Sequence, residues 1–361
     1  MKFIAKTFAG LEDTLGREVA AIGGSNIVKI TRGIAFEGDN EVMYRANLCL
    51  RTALRVYIPL FEFKVPDEQT LYEEVNGIEW EKLFNTKQTF VIESIINSQL
   101  YNNSQYISQK TKDAIVDRFR DIFGERPSVS KTDADFRIQV HIYQDNCSIS
   151  LDTSGKPLFM RGFRKEGLEA PINECLAAGL VLLSEWDGNS PLYDVMCGSG
   201  TIPIEAAMIA SNMAPNIYRK GFGFEKFSKF DKPLFESIRA ELLAKIADKS
   251  HFIYACDIAG TAIDTAKMNF FETKLRGMNF LKSDFFDLGT NLNSGTIIFN
   301  PPYDERLKED DIVAFYRNIG HHLKNIFAGF KAWMISSNKE ALKILDSNPI
   351  KIPIIQWTIA K

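Results

Sequence analysis

Hydrophobic positions in this chain recur in short runs broken by glycine and proline, and the period of each run separates strand from helix. Lys2 to Phe8 is a β-compatible run stopped at Gly10; Leu11, Leu15, Val19 and Ile22 then follow at helical spacing until Gly23-Gly24. A second β-rich stretch, Ile27 to Phe36, ends at Gly38-Asp39, after which Glu41 to Leu54 reads as a helix and Arg55 to Val65 as a strand closed by Pro66. These elements predict a small α+β block over residues 1–65.

Residues 66–165 predict a second block. It holds a helix from Leu71 to Phe84, a strand from Thr89 to Ile96, and a long helix from Gln105 to Phe123 that turns Ile107, Ile115, Phe119 and Ile122 inward. Strands Phe136 to Tyr143 and Cys147 to Asp152 alternate apolar and polar side chains around a Gln144-Asp145-Asn146 turn. Ile172 to Trp186 is a strongly apolar helix opened by Pro171. After Ser190-Pro191 the rhythm becomes strand, turn, helix: LYDVMCGSG before TIPIEAAMIA, HFIYACDI before TAIDTAKMNFFE, then NFLKSDFFDL, GTIIFNPPY before a helix reaching Ile326, and AWMISS. That alternation predicts a parallel sheet covered on both faces, in a third block spanning 166–361.

Composition narrows the function. At 361 residues and 45% hydrophobic content the chain is long and apolar enough for two or three folded domains. A net charge of -3 excludes a uniformly basic coat, so any polyanionic partner must be met by a patch. Residues 101–165 carry 11 basic and 8 acidic side chains, the modest local excess such a patch needs. The cysteines at 49, 147, 175, 197 and 256 form no CxxC pair, and no histidine stands at zinc-finger spacing, so neither a disulfide framework nor a metal site is expected. Glu12 and Asp13 interrupt the start before a signal-peptide core, and no long uncharged apolar run follows, which predicts a cytoplasmic protein with no membrane partner.

Four strand ends carry candidate chemistry. In Asp194-Val-Met-Cys-Gly-Ser-Gly200-Thr201, Gly198 and Gly200 permit close backbone approach, and the following helix offers free N–H groups to a nucleotide-like ligand. Taken alone, the same glycines serve equally as a plain strand-to-helix turn. Asp257 and Asp284 fall where the next two strands end: the first can accept two ribose hydroxyls, the second can accept from an adenine amine, and either can instead cap a helix. The gap from Gly200 to Asp257 is too long for a dinucleotide site, and no Walker lysine follows the glycines. Asn300-Pro301-Pro302-Tyr303 directly follows an apolar strand. An amide oxygen and a proline carbonyl there can accept both hydrogens of a planar exocyclic amine while Tyr303 stacks on the base.

In this combination the chain resembles the class I S-adenosylmethionine-dependent methyltransferases that act on amino nitrogens. More closely it resembles the THUMP-domain RNA methyltransferases typified by the amino-terminal half of the bacterial large-subunit ribosomal RNA guanine-N2 enzymes. The likeness runs through FAGLEDTLGREV, RGFR, APINECLAAGLVLLSEW, DVMCGSGTIPIEAAMIA, GFGFEKF, YACDI, SDFF and NPPYDERL. It implies a Rossmann-like α/β methyltransferase domain over 166–361, preceded by an α+β region: a ferredoxin-like subdomain over 1–65 and a THUMP RNA-binding domain over 66–165.

Carried over by position, Asp194, Met196, Gly198, Ser199 and Gly200 would line the methionine part of S-adenosylmethionine, Asp257 its ribose, and Asp284 and Phe285 its adenine, with Cys197, Thr201 and Ile258 also in the cofactor site. Pro171, Ile172 and Glu174 would contribute from the preceding segment, and Asn300, Pro301, Pro302 and Tyr303 would receive the target base. Cys197 is expected to pack rather than react. Lys110, Lys112, Arg118, Arg161 and Arg164 are the candidate phosphate contacts to structured RNA, ribosomal by the resemblance. Adenine-N6 methylation of DNA or RNA shares the NPPY turn, and an RNA-binding assembly protein with an impaired site is a third reading. The tail IPIIQWTIAK lacks the Asn-Gly hairpin and Glu-Cys pair usual in relatives.

Overall fold

A computed structural model describes residues 1–164, 171–247, 252–302, 309–336 and 354–356, with the side chains of 309–311 and 354–356 outside the description. The chain divides into two compact units, Met1–Met160 with Tyr218–Glu241 and Arg161–Ile217 with Leu242–Lys361.

In the first unit the elements are β1 (Lys2–Lys6), α1 (Glu12–Ala21), β2 (Ser25–Ile30), β3 (Gly33–Glu37), α2 (Asn40–Cys49), β4 (Arg55–Lys64), α3 (Glu68–Gly77), β5 (Thr89–Asn97), α4 (Ser104–Phe123), β6 (Ser128–Val129), β7 (Phe136–Tyr143) and β8 (Asn146–Asp152). They build one eight-stranded sheet in the order β2-β3-β1-β4-β8-β7-β5-β6. Because β4 pairs antiparallel with both β1 and β8, a single sheet runs through both front blocks. Its second half buries Phe90, Phe136, Ile138 and Val140 against Leu71, Ile115 and Phe119 of α3 and α4.

Local signals explain most boundaries. Asp39, Asp67 and Asn103 cap α2, α3 and α4 by accepting backbone N–H groups at 3.0, 2.7 and 3.0 Å. Several expectations change, and the helices read over Glu41 to Leu54 and Leu71 to Phe84 end at Cys49 and Gly77. The stretch Ile27 to Phe36 is two strands, β2 and β3, because the chain turns at Arg32, whose φ is 51°, and Ile30 pairs with Gly33. Ile122 is 48% exposed, since it falls in the last turn of α4 beyond Phe119, which still packs in the core.

From residue 161 onward the elements are α5 (Glu174–Leu183), β9 (Leu192–Asp194), α6 (Thr201–Ala210), α7 (Lys232–Ala244), β10 (Ile253–Asp257), α8 (Gly260–Glu272), β11 (Met278–Lys282), β12 (Gly295–Phe299), α9 (Glu309–Ile326), β13 (Phe330–Ser336) and β14 (Ile354–Gln356). Six strands in the order β11-β10-β9-β12-β13-β14 form the second sheet, and every pairing in it is parallel. One face packs Ile297 and Phe299 with Tyr316, Ile319 and Leu323 of α9; the other packs Ala255 with Ile263 and Ala266 of α8. This is the Rossmann-like arrangement, and strand order reverses at β9. Pro171 does not open α5: the helix begins at Glu174, capped by Asn173, whose side chain accepts from Cys175 N–H at 2.9 Å.

Residues 218–241 depart from the rear sheet and complete the first unit's core. Phe224 and Phe235 pack on Tyr44 at 4.8 and 5.7 Å between ring centroids, and Phe227 stacks on Phe136 at 5.7 Å. The Asp231 N–H donates to the Tyr44 hydroxyl at 2.9 Å. No described helix is long and apolar enough to cross a membrane.

Candidate functional site

Register in the parallel sheet brings three turns to one edge. Asp194 ends β9 level with Ala255 of β10, Asp257 ends β10 level with Lys282 of β11, and Ile297 of β12 is level with Tyr193 of β9. The turns that leave β9 and β12, at Asp194 and at Asn300, therefore emerge side by side where the strand order reverses, the usual crevice of an open α/β sheet.

The glycine turn is locked from several directions. Gly198 N–H donates to Asp257 Oδ2 at 2.9 Å, Cys197 N–H to the Cys256 carbonyl at 2.9 Å, and Gly200 N–H to the Cys197 carbonyl at 2.8 Å. Gly200 stands at φ 80°, and a Cβ there would come within 2.8 Å of Ala266 Cβ on α8, so the close approach requires glycine. Gly198, at φ 52°, faces open space. Asn269 of α8 donates to the Ser199 carbonyl at 3.0 Å. Sequence reasoning missed this residue, although a lone amide next to Phe270 on an otherwise apolar helix face was a readable signal.

Asp194 is buried and accepts Met196 N–H at 3.2 Å. Burial first, then the nearby Asp257 charge, pushes its carboxyl well above the ordinary range. Asp257 also accepts Ala259 N–H at 2.9 Å, and its two oxygens keep further lone pairs for a ligand. Ile258 beside it is 64% exposed. Asp284 caps a short turn by accepting Phe286 N–H at 2.9 Å, while the Phe285 ring is buried against Phe299 and His322, so its side chain serves the core. Burial raises the Cys197 thiol far out of reach of ionisation, with the Asp194 and Asp257 charges adding to it.

Asn300 is half-buried, Pro301 buried and Pro302 exposed; Tyr303 lies outside the described residues. The segment before α5 brings Arg161 and Arg164 against acids of α5 and α6. Arg161 pairs with Glu205 of α6 at 3.1 Å, both essentially inaccessible, and Arg164 pairs with Glu174 at 3.1 Å. Burial raises Glu174 to about 7 against the opposing pull of Arg164. Pro171 and Ile172 are half-buried beside it.

Three of the phosphate candidates are engaged within the protein. Arg161 is buried in its ion pair, and Arg164 is held by Glu174, Thr201 and the Ile172 carbonyl. Arg118 makes two bonds to Glu81, at 2.8 and 2.6 Å, and one to the Asn76 carbonyl. Lys112 pairs with the exposed Asp113, and Lys110 lies over the Tyr72 ring; both remain half-exposed. Among the described residues, no three His, Cys, Asp or Glu side chains converge as metal ligands.

Comparison with known proteins places names beside this geometry. Residues 161–357 match the RMKL-like methyltransferase domain, 65–152 the THUMP domain and 2–57 the RlmL ferredoxin-like domain. The chain is 38% identical over 354 residues to the ribosomal RNA large subunit methyltransferase K/L of Psychromonas ingrahamii; the match covers 96% of this chain and 47% of that protein. It thus spans about half the length of that curated relative. The fold superposes on a predicted N6-adenine-specific DNA methylase from Listeria monocytogenes str. 4b F2365 with a TM-score of 0.84 and 31% identity, covering 95% of this chain and 90% of the other. It also superposes on SMU.472, described as a methyltransferase and crystallised with SAH, with a TM-score of 0.83 and 28% identity over 96% of this chain and 92% of that one.

Proposed function

The chain belongs to the RMKL-like methyltransferase family, and from that premise we propose that it transfers a methyl group from S-adenosylmethionine to the exocyclic N2 amine of a guanosine in large-subunit ribosomal RNA. The observation that carries the reading is the juxtaposition, on neighbouring strand ends, of the locked glycine turn with the Asn300-Pro301 turn. The name of the curated relative supports the ribosomal substrate.

The residues present fit the cofactor. Open space faces Gly198, Asp257 has acceptor capacity left for two ribose hydroxyls, and exposed Ile258 offers an apolar surface to the adenine. Asp194 and Glu174 are buried acids beside the turn that suit a cationic methionine end, and one oxygen of Glu174 has no hydrogen-bond partner among the described residues. When bound, S-adenosylmethionine supplies an electrophilic methyl group.

The protein's own work is placement. The Asn300 amide oxygen and a proline carbonyl accept the two N–H hydrogens of the target amine, which draws the nitrogen lone pair out of conjugation and toward the methyl. Pro301 and Pro302 fix φ and carry no N–H, so the turn is stiff before substrate arrives. No strong base is needed, because alkylation leaves the nitrogen cationic and acidic enough to give its extra proton to water. Lys110 and Lys112 of the front unit would meet phosphate. The five cysteines form no disulfide, which is compatible with a reducing cytoplasm, where ribosomal RNA is met.

Adenine-N6 methylation stays as the second reading because the Listeria neighbour carries that description. Labelled S-adenosylmethionine and total RNA or DNA, digested to nucleosides, separate the two. N2-methylguanosine in large-subunit RNA that disappears without the gene is the expected result; label in N6-methyladenosine would replace the first reading with the second.

A further inference from the structure

Arg164 occupies a position that no surface role explains. Its Nη2 lies 3.1 Å from the Ile172 carbonyl, 2.9 Å from Thr201 Oγ1 and 3.1 Å from Glu174 Oε1. One guanidinium thereby ties the turn entering α5, the first residue of α5 and the first residue of α6 into one piece. Thr201 stands directly after Gly200, and its hydroxyl is 3.3 Å from Ser199 Oγ, so the contact continues into the glycine turn. All three contacts fall on one nitrogen, whose two N–H groups are shared among them at the end of a side chain that is planar at its tip and reaches further than a lysine.

We propose that Arg164 is a positioning residue for methyl transfer: it holds Glu174 and the first turn of α6 in the arrangement that receives the ammonium end of S-adenosylmethionine. This rests on the cofactor reading above. Glu174 is the partner that gives the clamp a chemical purpose. Its Oε1 is engaged by Arg164, and its buried Oε2 has no partner among the described residues. Leaving a buried charged acceptor unpaired is costly, and an ammonium would satisfy it.

Among the described residues, the charged groups facing Glu174 are Arg164 and Arg161 from the preceding segment and Glu205 from α6; the two arginines favour its ionised form, with Arg164 the stronger, and Glu205 opposes it. Burial nevertheless holds the carboxyl near neutrality. Removing the Arg164 charge moves that titration upward, so less Glu174 is ionised at neutral pH and the cofactor's ammonium loses its counter-charge. A clamp that served folding alone would not displace a pH profile of cofactor affinity.

The test uses the full chain with Arg164→Gln and Arg164→Lys, calorimetry with S-adenosylmethionine and SAH across neutral pH, thermal melting, and single-turnover methylation of RNA. Arg164→Gln is expected to weaken both ligands about tenfold at neutral pH, the scale of one charged hydrogen bond, and to move the midpoint of the affinity profile upward. SAH keeps the ammonium but not the sulfonium charge, so an equal loss for both ligands points to the ammonium end. Arg164→Lys keeps the charge on a shorter side chain whose nitrogen falls short of the Nη2 position; its midpoint should stay near the parent's while affinity still falls, and it serves if the Gln variant does not fold. A variant that melts lower but binds with the parent's affinity and midpoint overturns the proposal, as does one that loses only RNA affinity. If the parent itself binds neither ligand, the cofactor reading falls and the proposal falls with it.

Discussion

The carboxyl edge of the rear sheet and the basic surface of the front unit were read from the same sequence, and the fold treats the two sets of residues in opposite ways. At the sheet edge Asp194, Gly198, Gly200, Asp257 and Asn300, spread over more than 100 residues of chain, converge on adjacent strand ends. In the front unit Arg118 turns to Glu81, Lys112 to Asp113 and Lys110 to the Tyr72 ring. A turn following a parallel strand carries its own address, because strand order fixes where it must emerge. A charge carries none until folding decides its partner, and for Arg118 that partner lies 37 positions away.

The sheet edge can be split by two substitutions with opposite signatures. Asn300→Ala should lower the single-turnover methylation rate by about 100-fold, the scale for a misplaced reacting group, while S-adenosylmethionine affinity stays within about twofold of the parent's. Asp257→Ala should do the reverse, weakening cofactor binding by about 1–3 kcal/mol and sparing much of the rate at saturating cofactor. Calorimetry with single-turnover assays separates the two. Should Asn300→Ala transfer methyl groups at the parent rate, the turn is structural and the comparison loses one of its sides.

What the sequence disclosed follows the same division. Periodicity located the parallel strands and most helices to within a few residues, because each run is short and closed by glycine, proline or a capping Asp or Asn. The hairpin at Arg32 was hidden because Thr31-Arg32-Gly33 lacks the Asn-Gly pair that marks such turns. The packing of 218–241 with the front unit was hidden more deeply. Phe224, Phe227, Phe230 and Phe235 read as core residues, but nothing local says which core; Tyr44 and Phe136 supply that answer only in three dimensions. The acid partners of Arg161 and Arg164 were hidden for a related reason. KPLFMRGFRK contains no acid, and the carboxylates that neutralise it come from α5 and α6.

On the front unit, Arg118→Gln and Lys112→Ala should part company. Arg118 holds the Glu81 carboxyl below its ordinary range, so the pair's contribution is present at neutral pH and fades as pH falls through that lowered value. Loss of the bidentate pair should cost about 1–2 kcal/mol in denaturant unfolding at neutral pH, with a smaller difference from the parent in acid and no change in RNA affinity. Lys112→Ala should leave stability within about 0.5 kcal/mol and reduce the slope of log affinity against log salt by about one. An Arg118→Gln protein with intact stability and a flatter salt slope would return Arg118 to the RNA surface and erase the contrast between the two regions.

The smallest expected signal comes from Asp194 and bears on the sheet edge alone. Its carboxyl is buried and accepts Met196 N–H, and burial together with the Asp257 charge raises its pKa well above the carboxylate range. In the free protein it therefore retains a proton further toward neutrality than an exposed aspartate does. A cationic ligand arriving beside it supplies the opposite charge the site lacks, lowers that pKa and expels part of the proton. Calorimetry of S-adenosylmethionine binding in two buffers of different ionisation enthalpy should accordingly show net release of a fraction of a proton. The release should shrink as pH rises past the free-state titration, where the carboxylate is already ionised. Asp194→Asn removes this share and leaves only what Glu174 contributes. Proton uptake, or an undiminished release in Asp194→Asn, would mean that the cofactor's charge does not reach Asp194 and that the methionine end lies elsewhere along the glycine turn.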